Sequence, residues 1–350
     1  MRKPHKESLL FSALLILIVR VVTGCNFSKP QDNQQENTET AQNQRVVRNR
    51  QPTPNFSIAD NQRSDDYTYF MAIGDQGTGG DGQRRVAFLM NEKAGRDSLH
   101  FVITLGDNFY PRGVPSTHDI QWSTKFEAMY DLPNLSVPFY PSLGNHDHRD
   151  GNARHQVEYS KKSDKWRMPD YCYTFSKSID EHSSVQFFAL NTHVIVTKEY
   201  GGYDLQQMEW LAAELRASTA TWKIVYGHHP VFSYGKHGDQ KQMIKLVKPL
   251  LEKYEVDVFI AGHDHDRQFL GPVSGVAHIV CGTGAKSRDT RYGKKTVFAE
   301  TNLGFTWFRV SATELHLQFI NGDGEIEYAH TLSKPPPKRG PQKLSSRTFP

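Results

Sequence analysis

Leu99-His100-Phe101-Val102-Ile103-Thr104-Leu105 runs directly into Gly106-Asp107-Asn108-Phe109-Tyr110. The first seven residues read as a buried strand, since they are mostly apolar and include β-branched side chains. A carboxylate at the C-terminal end of such a strand sits where open α/β folds place their ligands. Asp107 has two oxygens and is able to bridge two cations. The Tyr110 phenol, three residues on, is as a phenolate a hard anionic donor suited to a trivalent metal. The stretch therefore predicts a metal pair bridged by Asp107, with Tyr110 marking one of the two ions. Further ligands must come from elsewhere in the chain.

Moving outward, the same pattern recurs. Residues 69–73 form an apolar run that stops at Gly74-Asp75, and residues 139–143 stop at Gly144-Asn145-His146. Residues 222–226 stop at Gly227-His228, and residues 256–260 at Ala261-Gly262-His263. A glycine at each stop lets the backbone turn sharply and approach a ligand closely. Between these runs the apolar residues fall at helical spacing. Val86, Leu89 and Met90 mark one helix, and Trp122, Phe126, Met129 and Tyr130 a second. Leu205, Met208, Leu211 and Leu215 share one helical face. Met243, Ile244, Val247, Leu250 and Leu251 mark another helix, with Pro249 as a potential break. Residues 171–175 and 185–190 read as antiparallel strands, and residues 276–332 are strand-rich. Alternating strands and helices predict parallel sheet, whose strand ends share one rim.

The donors that converge on that rim are Asp75, Asp107, Tyr110, Asn145, His228, His263 and His265. Oxygen and imidazole donors without thiolate suit Mn, Fe or Zn. Seven donors exceed what one ion with an open position uses. They suit two ions bridged by Asp107, about 3.5–4 Å apart. Such a pair lowers the pKa of bound water and clamps oxygens during displacement at phosphorus. Any one of these residues alone is a turn former, a helix cap or a hydrogen-bonded histidine. The signal is five blocks in order, each at a strand end.

The blocks Gly74-Asp75-Gln76-Gly77, Gly106-Asp107-Asn108-Phe109-Tyr110, Gly144-Asn145-His146-Asp147, Val225-Tyr226-Gly227-His228 and Gly262-His263-Asp264-His265 resemble the five signatures of the calcineurin-like metallophosphoesterases. Tyr110 narrows the resemblance to the purple acid phosphatases, and among them to the small tartrate-resistant type. The likeness runs from about Tyr67 to Leu332. It implies a four-layer α/β/β/α sandwich of two mixed β-sheets flanked by helices, with a dimetal site at the strand C-terminal rim. It implies that Asp75, Tyr110 and His265 hold Fe(III). Asn145, His228 and His263 would hold Fe(II), Zn(II) or Mn(II), and Asp107 would bridge the two ions. It further implies that His146 and His237 contact the phosphate and help protonate the leaving group. The implied reaction is hydrolysis of phosphate monoesters, small molecules or phosphoproteins, by a metal-bound hydroxide. Protonated histidine accounts for an acid optimum, because the side chain titrates near pH 6.5. His229 reads as a pocket-wall residue. Asp147, His148, Asp264 and Asp266 either orient ligands or are solvated loop residues. His118, His155, His193 and His278 read as ordinary hydrogen-bonded or core histidines.

The remainder of the chain frames this domain. Its 350 residues suffice for one large domain or two ordinary ones. A net charge of +4 is too mild to argue for nucleic acid, and part of it lies in the basic tail, residues 334–350. A basic start and an apolar run over residues 9–19 have the length of a signal-peptide core, too short for a settled bilayer span. Val22-Thr23-Gly24-Cys25 resembles the bacterial lipobox, with Arg20 as a departure from it. The expectation is a signal peptide over 1–25 and lipidation at Cys25. It gives an exported lipoprotein, periplasmic or on the cell surface and held to the membrane by its lipid, or alternatively a secreted protein. Residues 26–66 read as a disordered polar tether, 67–333 as the metallophosphoesterase domain, and 334–350 as a disordered basic tail. A monomer is expected. Cys172 and Cys281 are too few for a disulfide framework, and burial as small hydrophobes is the plainer reading. Two rival functions stay open: a phosphodiesterase, nucleotidase or nuclease on the same metals, and a surface protein that only binds.

Overall fold

The computed structural model describes residues 66–198 and 202–336. The leader with Cys25, the tether up to residue 65 and the tail from residue 337 lie outside the described residues. The first part of the domain runs β1 (Thr68–Ile73), α1 (Asp81–Arg96), β2 (Phe101–Leu105), α2 (Ile120–Trp122), β3 (Phe139–Ser142), α3 (Asn145–His148) and α4 (Ala153–Tyr159). It continues with β4 (Tyr173–Ser178), β5 (Ser184–Ala189), α5 (Thr192–Thr197), α6 (Tyr203–Ala217), β6 (Trp222–Tyr226), α7 (Lys248–Lys253) and β7 (Val258–Ala261). Six strands close the chain: β8 (Arg267–Val273), β9 (Val276–Cys281), β10 (Thr296–Glu300), β11 (Gly304–Val310), β12 (Glu314–Asn321) and β13 (Ile326–Ser333).

All five residues of β2 are buried, as a strand covered on both faces must be. It pairs in parallel with β1 and β3, and β1 pairs antiparallel with β11. The first sheet has the order β13-β12-β11-β1-β2-β3 and the second β10-β8-β9-β7-β6-β5-β4. In the second sheet β5, β6, β7 and β9 are parallel, while β4, β8 and β10 run antiparallel to their neighbours.

The inner faces meet through aromatic rings. Phe187 of β5 lies edge-on to Phe70 of β1 at 5.1 Å and to Phe101 of β2 at 5.2 Å. Phe175 of β4 stacks on Tyr140 of β3 at 3.9 Å. Such pairs contribute about 0.5–1.5 kcal/mol each beyond the area they bury. Outside the first sheet, α1 buries Val86, Leu89 and Met90. Outside the second, Leu211, Leu215, Met243, Val247 and Leu251 pack with Val225, Phe259 and Ala261. The result is the four-layer α/β/β/α sandwich of two mixed sheets.

Four local expectations need correction. The strand ends do not line one parallel sheet; the rim is shared by two sheets that face each other. The helix expected around Trp122 and Phe126 is one short α turn followed by a wider π-helical turn, Ser123–Glu127. Leu205 is not on the inner face of α6 but 55% exposed. Gln207 takes the inner place because its amide bonds both the N–H and the C=O of Asn191, at 2.8 and 3.0 Å. Pro249 does not break its helix. It stands in the first turn of α7, where its missing N–H has no partner to lose.

Candidate metal centre

Asp75 follows β1, Asp107 and Tyr110 follow β2, and Asn145 opens α3 after β3. His228 follows β6, and His263 and His265 follow β7. The two sheets bring all seven together, in two groups. In the first, the Tyr110 hydroxyl donates to Asp75 Oδ1 at 3.0 Å and lies 3.2 Å from His265 Nε2. His265 Nε2 is in turn 3.3 Å from Asp75 Oδ1. In the second, His228 Nε2 lies 3.0 Å from Asn145 Oδ1 and 3.1 Å from His263 Nδ1. Asp107 links the groups: its Oδ1 is 3.6 Å from His228 Nε2, and one ligand atom each of Asp75, Asp107 and His228 falls within 4.8 Å of the others.

The backbone is bent to achieve this. Asp75 (φ 59°), Asp107 (φ 52°) and His263 (φ 69°) all adopt the left-handed conformation. That costs about 1–3 kcal/mol per non-glycine residue and persists only where the surroundings enforce it. Here the Asp75 N–H donates to Gly106 O at 3.0 Å, and the His263 N–H to Asp75 Oδ2 at 2.8 Å. Two glycines clear the space. A Cβ on Gly144 would lie 2.1 Å from Asp107 Oδ1, and one on Gly262 would lie 2.6 Å from Asp75 Oδ2.

The donor set fits cations. Among the described residues, Asp75 and Asp107 have only histidines as ion-pair partners. Burial, opposed by His228 and reinforced by Asp107, pushes the Asp75 carboxyl up to about 8. Two buried carboxylates this close ionise together only beside a compensating positive charge. His228 Nδ1 donates to the Leu105 carbonyl at 2.8 Å, so Nε2 turns a lone pair toward the Asn145 acceptor. Acceptors held 3.0 Å apart are what a shared cation joins. Burial and the Asp75 and Asp107 carboxylates hold the Tyr110 phenol well above its usual range. A bound cation inverts that logic and favours the phenolate.

His146 lies at the rim. Its N–H donates to Asp107 Oδ1 at 2.8 Å, and Nδ1 donates to the Pro111 carbonyl at 2.7 Å, which turns Nε2 toward Asp107. The ring of His237 sits 4.2 Å from that of His263, and its backbone N–H donates to Asp264 Oδ1 at 2.8 Å. Burial lowers the pKa of both rings, opposed by Asp107 for His146 and by Asp264 for His237.

Asp147 and Asp264 are not solvated loop residues; both are buried. The Asp147 carboxylate accepts from the N–H groups of Asn108, Phe109 and Gly144 at 2.9–3.1 Å, and from Gln156 Nε2 at 2.8 Å. It ties the Asp107 loop to the Asn145 turn. The signal for it was local: Asp147 is the third residue of α3 and reaches back to the Gly144 N–H, as a capping box does. Asn108, between the two metal-directed residues of its loop, donates to Ser142 O at 2.7 Å and accepts from Thr104 at 2.6 Å. Asp266 is buried too, bonded by Gln268. His229 is a wall residue with a partner, Nδ1 at 2.9 Å from Thr192 Oγ1, yet one of its nitrogens lies within 4.8 Å of ligand atoms of His228 and His263. His193, expected to be incidental, stacks on His148 at 4.4 Å, and its ring is 6.3 Å from that of His229. No motif pointed to it. His118 and His155 pair with Lys162 and Glu158, and His278 is buried against Phe232. Cys172 and Cys281 are both free thiols, Cys281 buried and donating to Ala72 O at 3.4 Å.

Comparison with known proteins gives three kinds of match. The family model described as calcineurin-like phosphoesterase matches residues 68–267. Tartrate-resistant acid phosphatase type 5 of Oryctolagus cuniculus is 30% identical over 259 residues, 67% of this chain and 79% of that protein. Purple acid phosphatase 3 of Arabidopsis thaliana is 32% identical over 288 residues, 75% of this chain and 77% of that protein. Among solved structures, GAP50, the anchor in the inner membrane complex of Plasmodium, superposes with a TM-score of 0.72 at 26% identity. That match covers 77% of this chain and 90% of GAP50.

Proposed function

Since the chain belongs to the calcineurin-like phosphoesterase family, in which metal ions serve phosphoester hydrolysis, we propose that it is an acid phosphatase acting on phosphate monoesters at an Fe(III)–M(II) pair. The second ion would be Fe(II), Zn(II) or Mn(II). The observation that carries this reading is the pair of donor groups joined by Asp107. The phenol of Tyr110 in the first group is what favours a trivalent ion there. Asp75, Tyr110 and His265 would hold that ion, and Asn145, His228 and His263 the divalent one.

When bound, the metals supply a water of lowered pKa and neutralise charge on the phosphoryl oxygens. The remaining work falls to side chains. His146, fixed through its Nδ1, presents Nε2 to the substrate phosphate beside Asp107. His237, held by Asp264 from behind, donates a proton to the departing oxygen, a contribution of about 10²–10⁴ in rate. Because burial lowers its pKa, His237 is protonated only under acid conditions, and the donor is lost as pH rises. Export as a Cys25-anchored lipoprotein places this reaction outside the cytoplasm in our reading, supported by the lipobox-like stretch alone.

Comparing turnover of p-nitrophenyl phosphate with bis-(p-nitrophenyl) phosphate on metal-loaded protein tests the assignment. Preference for the monoester is expected; a strong preference for the diester would make the protein a phosphodiesterase instead. A second reading, a protein that binds without hydrolysis, is favoured by one observation, the similarity to a protein described as an anchor. The intact set of donors supports the enzyme.

A further inference from the structure

Beside the ligand groups, on the side of His237, lies a cavity of ≈ 550 Å³ lined by Gly235, Lys236, Ser287, Arg288, Asp289 and Arg291. That size lies within the roughly 300–1,000 Å³ of small-molecule sites. Three of its six lining residues are cations and one is a carboxylate. Lys236, Arg288 and Arg291 are exposed, as is the neighbouring Lys286. Among the described residues none of these four forms an ion pair. Unpaired like charges gathered around one concavity repel one another and concentrate anions there.

The wall is joined to the reacting end. The backbone N–H of Arg288 donates to the His265 carbonyl at 2.7 Å, which fixes the segment against a candidate ligand. Arg288 Nη1 lies 3.3 Å from His237 Nε2. His237 is the group placed to meet the departing oxygen, so whatever is attached through that oxygen falls against Arg288 and into the cavity. The leaving-group side of the site is therefore its cationic side. A guanidinium there offers two parallel N–H donors, the geometry that phosphate takes.

We propose that this cavity is a subsite for a second phosphate group, attached to the first through the oxygen that leaves, so that the preferred substrates are diphosphates and polyphosphates. The proposal rests on the phosphatase reading above. Hydrolysis adds water across the P–O bond between the two phosphates. The water oxygen joins the phosphorus at the ligand groups. The bridging oxygen leaves with the bonding pair on the second phosphate and takes up the proton that water loses.

The test uses the metal-loaded full chain and its Arg288→Gln/Arg291→Gln variant. Both side chains are exposed, and a thermal midpoint matching wild type shows that the variant is folded. We expect kcat/KM for inorganic pyrophosphate to fall at least tenfold more than kcat/KM for p-nitrophenyl phosphate. An equal fall for both substrates overturns the subsite. So does a variant defect seen only with an acidic monophosphopeptide, which would assign the wall to a protein partner. Binding of methylenediphosphonate, which is not hydrolysed, separates this proposal from the phosphatase reading. If wild type hydrolyses no ester yet its methylenediphosphonate affinity falls tenfold in the variant, the hydrolase reading fails and the subsite stands. If that affinity is unchanged, the subsite fails whatever the turnover.

Discussion

The two sheets contribute to the candidate centre in chemically different ways. The strand ends of the first sheet supply its oxygen donors, Asp75, Asp107, Tyr110 and Asn145; those of the second supply its nitrogen donors, His228, His263 and His265. Neither half is a metal site of the observed kind without the other. Their hydrogen bonds also cross from sheet to sheet. His228 of the second is oriented by Leu105 O of the first, and the His263 N–H is received by Asp75. Away from the centre the same faces are joined by Tyr226 to Tyr140 O at 3.2 Å and by Tyr173 to Pro141 O at 2.7 Å. A centre split in this way exists only when the sandwich is assembled. Metal binding then stabilises the packed state, because a ligand that binds only the folded chain shifts the folding equilibrium by mass action.

The sharpest way to break the comparison is to remove the residue between the halves. Asp107→Ala should lose both metals and bring monoester hydrolysis to background. Retention of one tightly held ion with partial activity would show that one half works alone. A smaller effect is expected from Asp147→Ala, which leaves the oxygen donors in place but frees their loops. Each buried N–H left unpaired costs about 1–3 kcal/mol. A lowered denaturation midpoint and roughly 10–100-fold weaker metal binding should follow. An unchanged midpoint would mean that the loops are held by other contacts. The smallest change in rate should come from Tyr110→Phe. With a ferric ion on the phenolate, the variant should lose its visible absorption band and keep substantial hydrolysis. An unchanged spectrum would remove Tyr110 from the metal.

What was legible in the sequence follows from the same division. Each donor after β1, β2, β3, β6 and β7 was visible because a buried parallel strand has a simple apolar signature and ends at a glycine. Strand and ligand were thus read as one unit. That the strands belong to two sheets was not readable from alternation, since a parallel pair looks alike in either sheet. The resemblance to a known family, rather than the pattern, supplied the sandwich. Asp147 stayed ambiguous because its partners are backbone N–H groups 38 and 39 residues away, which leave no side-chain pattern. Leu205 misled for the opposite reason. It fits the helical period, yet Gln207 fills the inner position through two bonds to Asn191. The cationic wall at Arg288 and Arg291 carried no signal either, since charges in a loop read as solvated until the fold sets them against His237.

The central claim is that two half-sites of different chemistry become one centre through Asp107, and metal content reads it most directly. Elemental analysis of purified wild type and Asp107→Ala should give about two ions per wild-type chain, iron among them, and less than one in the variant. Fewer than one ion per wild-type chain, or equal content in both proteins, would contradict the account.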